Sequence, residues 1–175
     1  MANRTALREL QSRLASRLQA ARNEGVSVAW LAVEAGPGRY LFPLAHAGEI
    51  FPWTPVQPVP YTQAWFLGVA NLRGGLYGVV DLARFVTPDT AQRADASQAD
   101  TSLLALNTTL EVNTALLVDR LAGLRAAEAF ASVEPAAADA PAYFGRVMVD
   151  AAGTRWQEIN LQTLSQHPYF LSISA

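Results

Sequence analysis

The chain has 175 residues, a formal net charge of −2 and no cysteine. Hydrophobic residues at 51% and charged residues at 16% exclude a wholly disordered chain and supply a core for one domain or two merged subdomains. The missing cysteines exclude disulfide scaffolds, zinc–thiolate sites and thiol nucleophiles. All 13 basic residues are Arg, which removes Schiff-base and P-loop lysine chemistry, and the near-neutral balance offers no basic field for nucleic acid or acidic membrane.

The N-terminal segment predicts an amphipathic helix, roughly Thr5 to Asn23. Leu7, Leu10, Leu14, Leu18 and Ala21 recur at helical spacing, Glu9 and Arg13 are placed as a surface pair, and Gly25 is placed to cap the end. Ser, Gln and Glu interrupt its basic face, so it is expected to pack on its own domain rather than on a membrane or partner. No signal-peptide-like apolar run occurs there. The uncharged stretch Ile50 to Leu72 contains Pro52, Pro55, Pro58 and Pro60, which a spanning helix does not hold. A soluble, cytosolic protein is the expectation.

From Val26 the pattern changes to strands. Val26 to Glu34 and Arg39 to Ala45 form a hairpin across Gly36-Pro37-Gly38, and Ala47 to Phe51 leads into the proline-rich loop. Tyr61 to Phe66 is expected as a helical turn. Gly68 to Arg73 and Leu76 to Leu82 are strands joined by Gly74-Gly75, a pair suited to the positive φ angles of a tight hairpin. Asp81 to Val86 leaves as a helical turn, and Thr87 to Thr101 is a loop. Leu103 to Asn107 and Glu111 to Leu121 make another hairpin. Leu124 to Phe130 reads as helix by its alanines or as a continuation of the strand. Ser132 to Ala142 is expected as an exposed connection, Ala142 to Ala151 as a strand, and Gly153 in the next turn. Trp156 to Gln166 is expected as a helix, and Tyr169 to Ile173 as an apolar tail docked on the body. Many short strands with glycine turns point to a barrel or sandwich rather than βαβ units.

Candidate chemistry is sparse. His46 and His167 lie far apart without ligand spacing, and no serine sits in a GxSxG elbow. Glu49, Asp81 and Asp119 are possible acids or bases, more simply explained as turn or ion-pair residues. Gly68, Gly74, Gly75 and Gly78 fit neither the dinucleotide nor the P-loop pattern. Trp30, Trp53, Trp65 and Trp156 could stack on bases as in an oligonucleotide-binding barrel. No arginines interleave with them, so core and interface roles fit better. The unusual segment is Glu49 to Leu82, where Glu49 and Arg73 bracket an uncharged, proline- and aromatic-rich run. Such a run should cover a core or form a binding surface.

The run Gly68-Val69-Ala70-Asn71-Leu72-Arg73-Gly74 followed by Val79-Val80-Asp81-Leu82 resembles the signature of the CheW-like chemotaxis adaptor domain. Glu49-Ile50 and Val59-Pro60 fall at that family's distances. Leu117-Val118-Asp119 with Leu121, Tyr143-Phe144-Gly145 and Ile159-Asn160-Leu161 resemble its second half, so the likeness runs from about Val26 to Leu164. Gly78 departs from the family's usual proline. The long N-terminal helix and the segment Leu161 to Ile173 are similar to the pilus-type, PilI-like adaptors of twitching-motility systems.

The resemblance implies a mainly β fold of two merged five-stranded SH3-like barrels sharing a core, with an added N-terminal helix and a short C-terminal helix. Residues 1–24 would form the helix and residues 25–175 the CheW-like domain. It implies an adaptor with no catalysis, cofactor or metal, located in the cytoplasm and recruited to inner-membrane receptor arrays. Its partners would be the cytoplasmic signalling tip of a chemoreceptor, bound in the groove between the barrels, and the regulatory domain of a CheA-like histidine kinase, bound at barrel edges. Nucleic acid and membrane insertion are not implied. A flagellar chemotaxis adaptor is the near alternative and an oligonucleotide-binding barrel the remoter one. Carried over by position, Glu49, Gly68, Asn71, Arg73 and Gly74 would serve coupling, with Glu49 and Arg73 expected to pair across the first barrel.

Overall fold

Short strands build this protein, and the alternation of their side chains explains its layers. The structure, a computed structural model, describes residues 2–24, 28–89 and 100–175. In chain order these form α1 (Ala2–Glu24), β1 (Val28–Ala35), β2 (Gly38–Pro43), β3 (Ala47–Pro52), β4 (Phe66–Leu72), β5 (Gly75–Asp81), α2 (Leu82–Val86) and β6 (Ser102–Leu106). Then come β7 (Thr114–Val118), β8 (Arg120–Ala126), β9 (Phe130–Glu134), β10 (Phe144–Asp150), β11 (Arg155–Ile159), α3 (Leu161–Gln166) and α4 (Pro168–Leu171). The predicted cap Gly25, the strand start Val26 and residues 90–99 of the predicted loop lie outside the described residues.

The strands form two sheets, β3-β6-β7-β5-β4 and β8-β1-β2-β11-β10-β9. Each is antiparallel except for one parallel pair, β5 with β7 and β2 with β11. The five-stranded sheet is one continuous stretch of chain inserted between β2 and β8 of the other.

Side chains alternate between three cores. In β1, Leu31, Val33 and Ala35 join Phe42, Leu104, Leu116 and Val118 in a cluster shared by both sheets. Trp30 and Ala32 point the other way, to Leu41, Met148 and Trp156 within the six-stranded sheet. Val79, Leu103, Ala115 and Leu117 fill the corresponding interior of the five-stranded sheet. Strands apolar on both faces, such as Ser102–Leu106 and Thr114–Val118, are buried throughout because each lies between two of these cores.

Helix α1 packs home, as its interrupted polar face predicts. Leu14 and Leu18 are buried, and Gln11 Nε2 donates to Ser102 Oγ at 2.7 Å. The chain's other end docks as well. Phe170 is buried and stacks on Trp65, with ring centroids 6.3 Å apart and planes at 9°. Beyond it Gln63 N donates to Ile173 O at 2.8 Å, and Ala175 N to Tyr61 O at 2.9 Å.

Several expectations are corrected. The predicted helix Trp156 to Gln166 is strand β11 followed by the short helix α3. Trp156, Ile159, Leu161 and Leu164 are all buried, and their spacing suits a helix. Residues 155–159 instead fill the gap between β2 and β10, where an extended chain satisfies backbone groups on both sides. Ser132 to Ala142 is not wholly a connection, because Phe130–Glu134 pairs with β10 as a sixth strand. Tyr61 to Phe66 keeps only a single turn, Phe66 N donating to Gln63 O at 3.0 Å, while Thr62 bridges to Ser174 and Phe66 opens β4. Glu111 to Leu121 is divided. Glu111 takes φ 57° after a 3-10 turn, β7 begins at Thr114, and the chain crosses to the other sheet after Val118. Of the two readings of Leu124 to Phe130, strand continues to Ala126, and a 3-10 turn covers Ala127–Ala129.

Candidate interaction site

The site begins with a tight hairpin. Leu72 pairs with Gly75, so the two-residue turn is Arg73-Gly74 rather than the predicted Gly74-Gly75. Both turn residues take positive φ, 48° and 78°, as a type I′ turn between twisted strands requires. Asn71 Oδ1 accepts from Gly74 N at 3.0 Å and holds the turn closed.

Glu49 reaches this turn because β3 bulges. Ala47 pairs with Leu106 and Ile50 with Leu104, which leaves Gly48 and Glu49 opposite Ala105 alone. An extra residue re-aims the side chains at such a point. Gly48 permits it, since a Cβ there would lie 2.5 Å from Ala105 O. The Arg73 guanidinium and the Glu49 carboxylate form an ion pair through Nη2 and Oε1, with side-chain exposures of 76% and 38%. In that much solvent the pair is worth no more than about 1 kcal/mol, so its effect is to orient two charges.

Gly68 acts elsewhere on β4. It takes φ 137°, and a Cβ would fall 2.1 Å from Gln57 O. The proline-rich segment is strapped across β4 at this point by Gln57 N donating to Val69 O at 2.8 Å and Val69 N to Gln57 O at 2.9 Å. Trp53 and Val56 of that segment pack on the cluster containing Ala70 and Leu72. The uncharged run therefore covers a core, one of the two roles expected of it.

The structure thus joins Glu49, Asn71, Arg73 and Gly74 around one hairpin and sets Gly68 apart under the strap. The ion pair lines a groove of about 610 Å³ whose opposite wall is α1, through Ser12, Ser16 and Gln19. Sequence reading missed this wall. Its signal was the spacing of polar residues 12, 16 and 19 beside the buried Leu14 and Leu18.

The remaining candidate acids have structural partners. Buried Asp81 lies 3.9 Å from Arg84, and Asp119 Oδ2 accepts from Gly36 N in the β1–β2 turn. Burial lowers the His46 pKa, with Glu158 opposing it, and His167 Nδ1 accepts from Tyr169 N at 3.3 Å to cap α4. Among the described residues no group of three His, Asp or Glu side chains converges as a metal site. Nor, among them, is any helix long and apolar enough to cross a membrane.

Residues 29–168 match the CheW-like domain family. The chain belongs to that family. Two curated relatives, the probable chemotaxis protein CheW of Rhizobium etli and the chemotaxis protein CheW of Rhizobium meliloti, are each 36% identical over 53 residues. That alignment takes in 30% of this chain and 34% of each relative, so the chain spans about a third of the length of the curated relatives it matches. The crystal structure of the scaffolding protein TtCheW from Thermoanaerobacter tengcongensis superposes with a TM-score of 0.61 at 16% identity, covering 75% of this chain and 88% of that one. This likeness supports the CheW-like fold: mainly β, two sheets, an N-terminal helix and short C-terminal helices. Gly78 donates its N–H to Asn113 O at 2.9 Å, a bond proline could not make.

Proposed function

We propose that this CheW-like chain is a non-catalytic adaptor that couples a chemoreceptor's cytoplasmic signalling tip to a CheA-like histidine kinase. Binding both partners raises their effective concentration and lets receptor state bias kinase state. Residues 25–175 form the adaptor domain and residues 1–24 its appended helix. The observation that carries the reading is the Glu49–Arg73 pair on the rim of an open groove, in a chain of this family. Arg73 and Glu49 set the charge pattern of the rim, Asn71 and Gly74 hold the turn that presents Arg73, and Gly68 lets the proline-rich strap close over β4. The protein works in the cytoplasm, gathered to inner-membrane receptor arrays. The array is of the pilus type and controls twitching motility, as the long N-terminal helix and the docked C-terminal tail suggest. A flagellar chemotaxis array is the second reading, favoured by the two Rhizobium relatives, both named chemotaxis proteins.

The test is autophosphorylation of the cognate kinase with receptor signalling fragments, with and without this protein. Receptor control of the kinase should require the protein and fail with Arg73→Glu. Swapping both charges, Glu49→Arg with Arg73→Glu, should restore part of it. Unchanged kinase output together with no binding to either partner would reject the adaptor role.

A further inference from the structure

We propose that two copies of this chain associate by exchanging their C-terminal tails, residues 168–175, each tail filling the seat on the other copy. This goes beyond the adaptor reading and does not depend on it. The occupant is specified by what already fills the seat. Phe170 is buried against Trp65 and Phe85, with ring centroids 6.3 and 5.5 Å away. Beyond it the tail runs antiparallel to the end of the proline-rich segment, with Thr62 opposite Ser174. Gln63 N donates to Ile173 O at 2.8 Å, Gln63 Nε2 to Ser174 O at 2.9 Å, and Ala175 N to Tyr61 O at 2.9 Å. A second copy carries the same sequence, so its tail makes the same contacts and exchange loses none of them.

Exchange needs a hinge and a gain. The hinge is His167, the single residue between α3 and α4. It is already extended, at φ −67° and ψ 131°, as a residue before proline prefers. Swinging the tail out at this point gives up the His167 N to Leu164 O bond at 3.1 Å and the edge contact of His167 with Tyr143. The gain is apolar surface. Tyr61 is 89% exposed, and Val59, Tyr169, Leu171 and Ile173 are exposed around the same seat. Tyr61 also sits at φ 60°, a strained position for a bulky ring left in water. The tail is short, so exchange holds the two seats within one tail's reach and brings these side chains of both copies together. Residues 50–72 and 159–175 contain no Asp, Glu, Arg or Lys. Two copies of net charge −2 therefore meet on this face without like-charge repulsion.

The experiment uses the full chain. Light scattering after gel filtration at high micromolar concentration should give twice the mass of one chain. The chain has no cysteine, so Thr62→Cys and Ser174→Cys are made in separate copies. The two positions face each other across the bridge at a Cα separation of about 4.5 Å, within disulfide reach. Refolded together from urea and oxidised, these variants should form the mixed covalent dimer about tenfold over a control pair, Leu76→Cys with Ser174→Cys. Leu76 is an exposed residue of β5 outside the seat. Leu171→Arg puts a charge on the uncharged face. It should raise the dimer dissociation constant about tenfold or more and leave thermal unfolding of the dilute monomer unchanged. A monomer at high micromolar concentration overturns the proposal. A dimer whose Thr62→Cys and Ser174→Cys copies crosslink no more than the control pair overturns it too, because the copies then meet with each tail in its own seat. A dimer that Leu171→Arg does not weaken overturns the apolar face as the source of the gain.

Discussion

Glu49 and Arg73 stand at opposite edges of one five-stranded sheet, β3 and the β4–β5 turn, yet their side chains form an ion pair. The edges can meet only because the sheet curls around its own cluster of Val79, Leu103 and Leu117. Phe51 of β3 and Tyr77 of β5 approach across the same gap, with ring centroids 6.4 Å apart. Packing of that interior closes the barrel, and the exposed ion pair marks the seam.

Arg73→Gly should therefore separate stability from function. The substitution loses an exposed pair worth at most about 1 kcal/mol. It also relieves a non-glycine residue held at φ 48°, a conformation that costs an L-residue about 1–2 kcal/mol. Folding stability should stay within about 1 kcal/mol of wild type in urea unfolding, while receptor control of the kinase is lost. A loss of more than about 2 kcal/mol would show that the ion pair itself holds the seam.

Two glycines of the motif should respond differently to alanine. Gly74 at φ 78° has open space around its missing Cβ, so Gly74→Ala meets only the left-handed backbone penalty of about 1–2 kcal/mol. At Gly68 a Cβ would collide with the Gln57 carbonyl that bonds Val69. Gly68→Ala should cost about 3 kcal/mol or more and release the strap, exposing Trp53. Urea midpoints rank the two, and tryptophan emission reports the strap. Equal losses would mean the strap shifts aside at no cost.

The legible parts of the fold were those whose pattern is local. Glycine turns and short apolar runs placed β1 to β7 within a few residues, and the motif around Asn71 to Gly74 pointed to the hairpin. The turn slipped by one because Arg73, not a second glycine, takes the left-handed position, and only the Leu72–Gly75 pairing shows this. Glu49 was legible as a lone charge, while the bulge that aims it depends on Ala105, more than fifty residues away in sequence. Residues 155–159 carried apolar spacing common to helix and strand. Their state is set by vacant backbone partners on β2 and β10. The α1 wall was hidden because serines on an amphipathic helix look the same whether they face water or a groove.

The C-terminal tail should contribute stability through one ring. Phe170 lies among Trp65 at 6.3 Å and Phe85 at 5.5 Å, and it is 3% exposed, whereas its neighbour Leu171 is 58% exposed. Phe170→Ala should destabilise by about 3–5 kcal/mol, and Leu171→Ala by no more than about 0.5 kcal/mol. In a chain of this length each kcal/mol lowers Tm by about 2–4 °C, so thermal unfolding distinguishes them. A near-neutral Phe170→Ala would mean that the tail is not seated on Trp65 in solution.

Asp150 should leave a signature in the acid limb of stability. Thr154 N donates to its Oδ1 at 2.9 Å, Trp156 Nε1 to its Oδ2 at 3.2 Å, and Ala152 N to its Oδ1 at 3.0 Å. These bonds, the one from Thr154 foremost, hold its carboxyl below the usual carboxylate range, with the Arg125 guanidinium assisting. The folded chain therefore takes up this proton less readily than the unfolded chain. The resulting stability is present in full above the unfolded value of about 3.9 and is lost as pH falls through the lower folded value. Asp150→Asn keeps an amide oxygen for Thr154 and Ala152 but titrates no proton. The variant should be less stable than wild type at pH 7, and the gap should narrow as pH falls below about 4. Urea midpoints measured on both proteins from neutral to acid pH test this, because the other carboxylates contribute equally to each. A gap that stays constant with pH would mean that the turn is held by its backbone alone and that the carboxylate charge adds nothing.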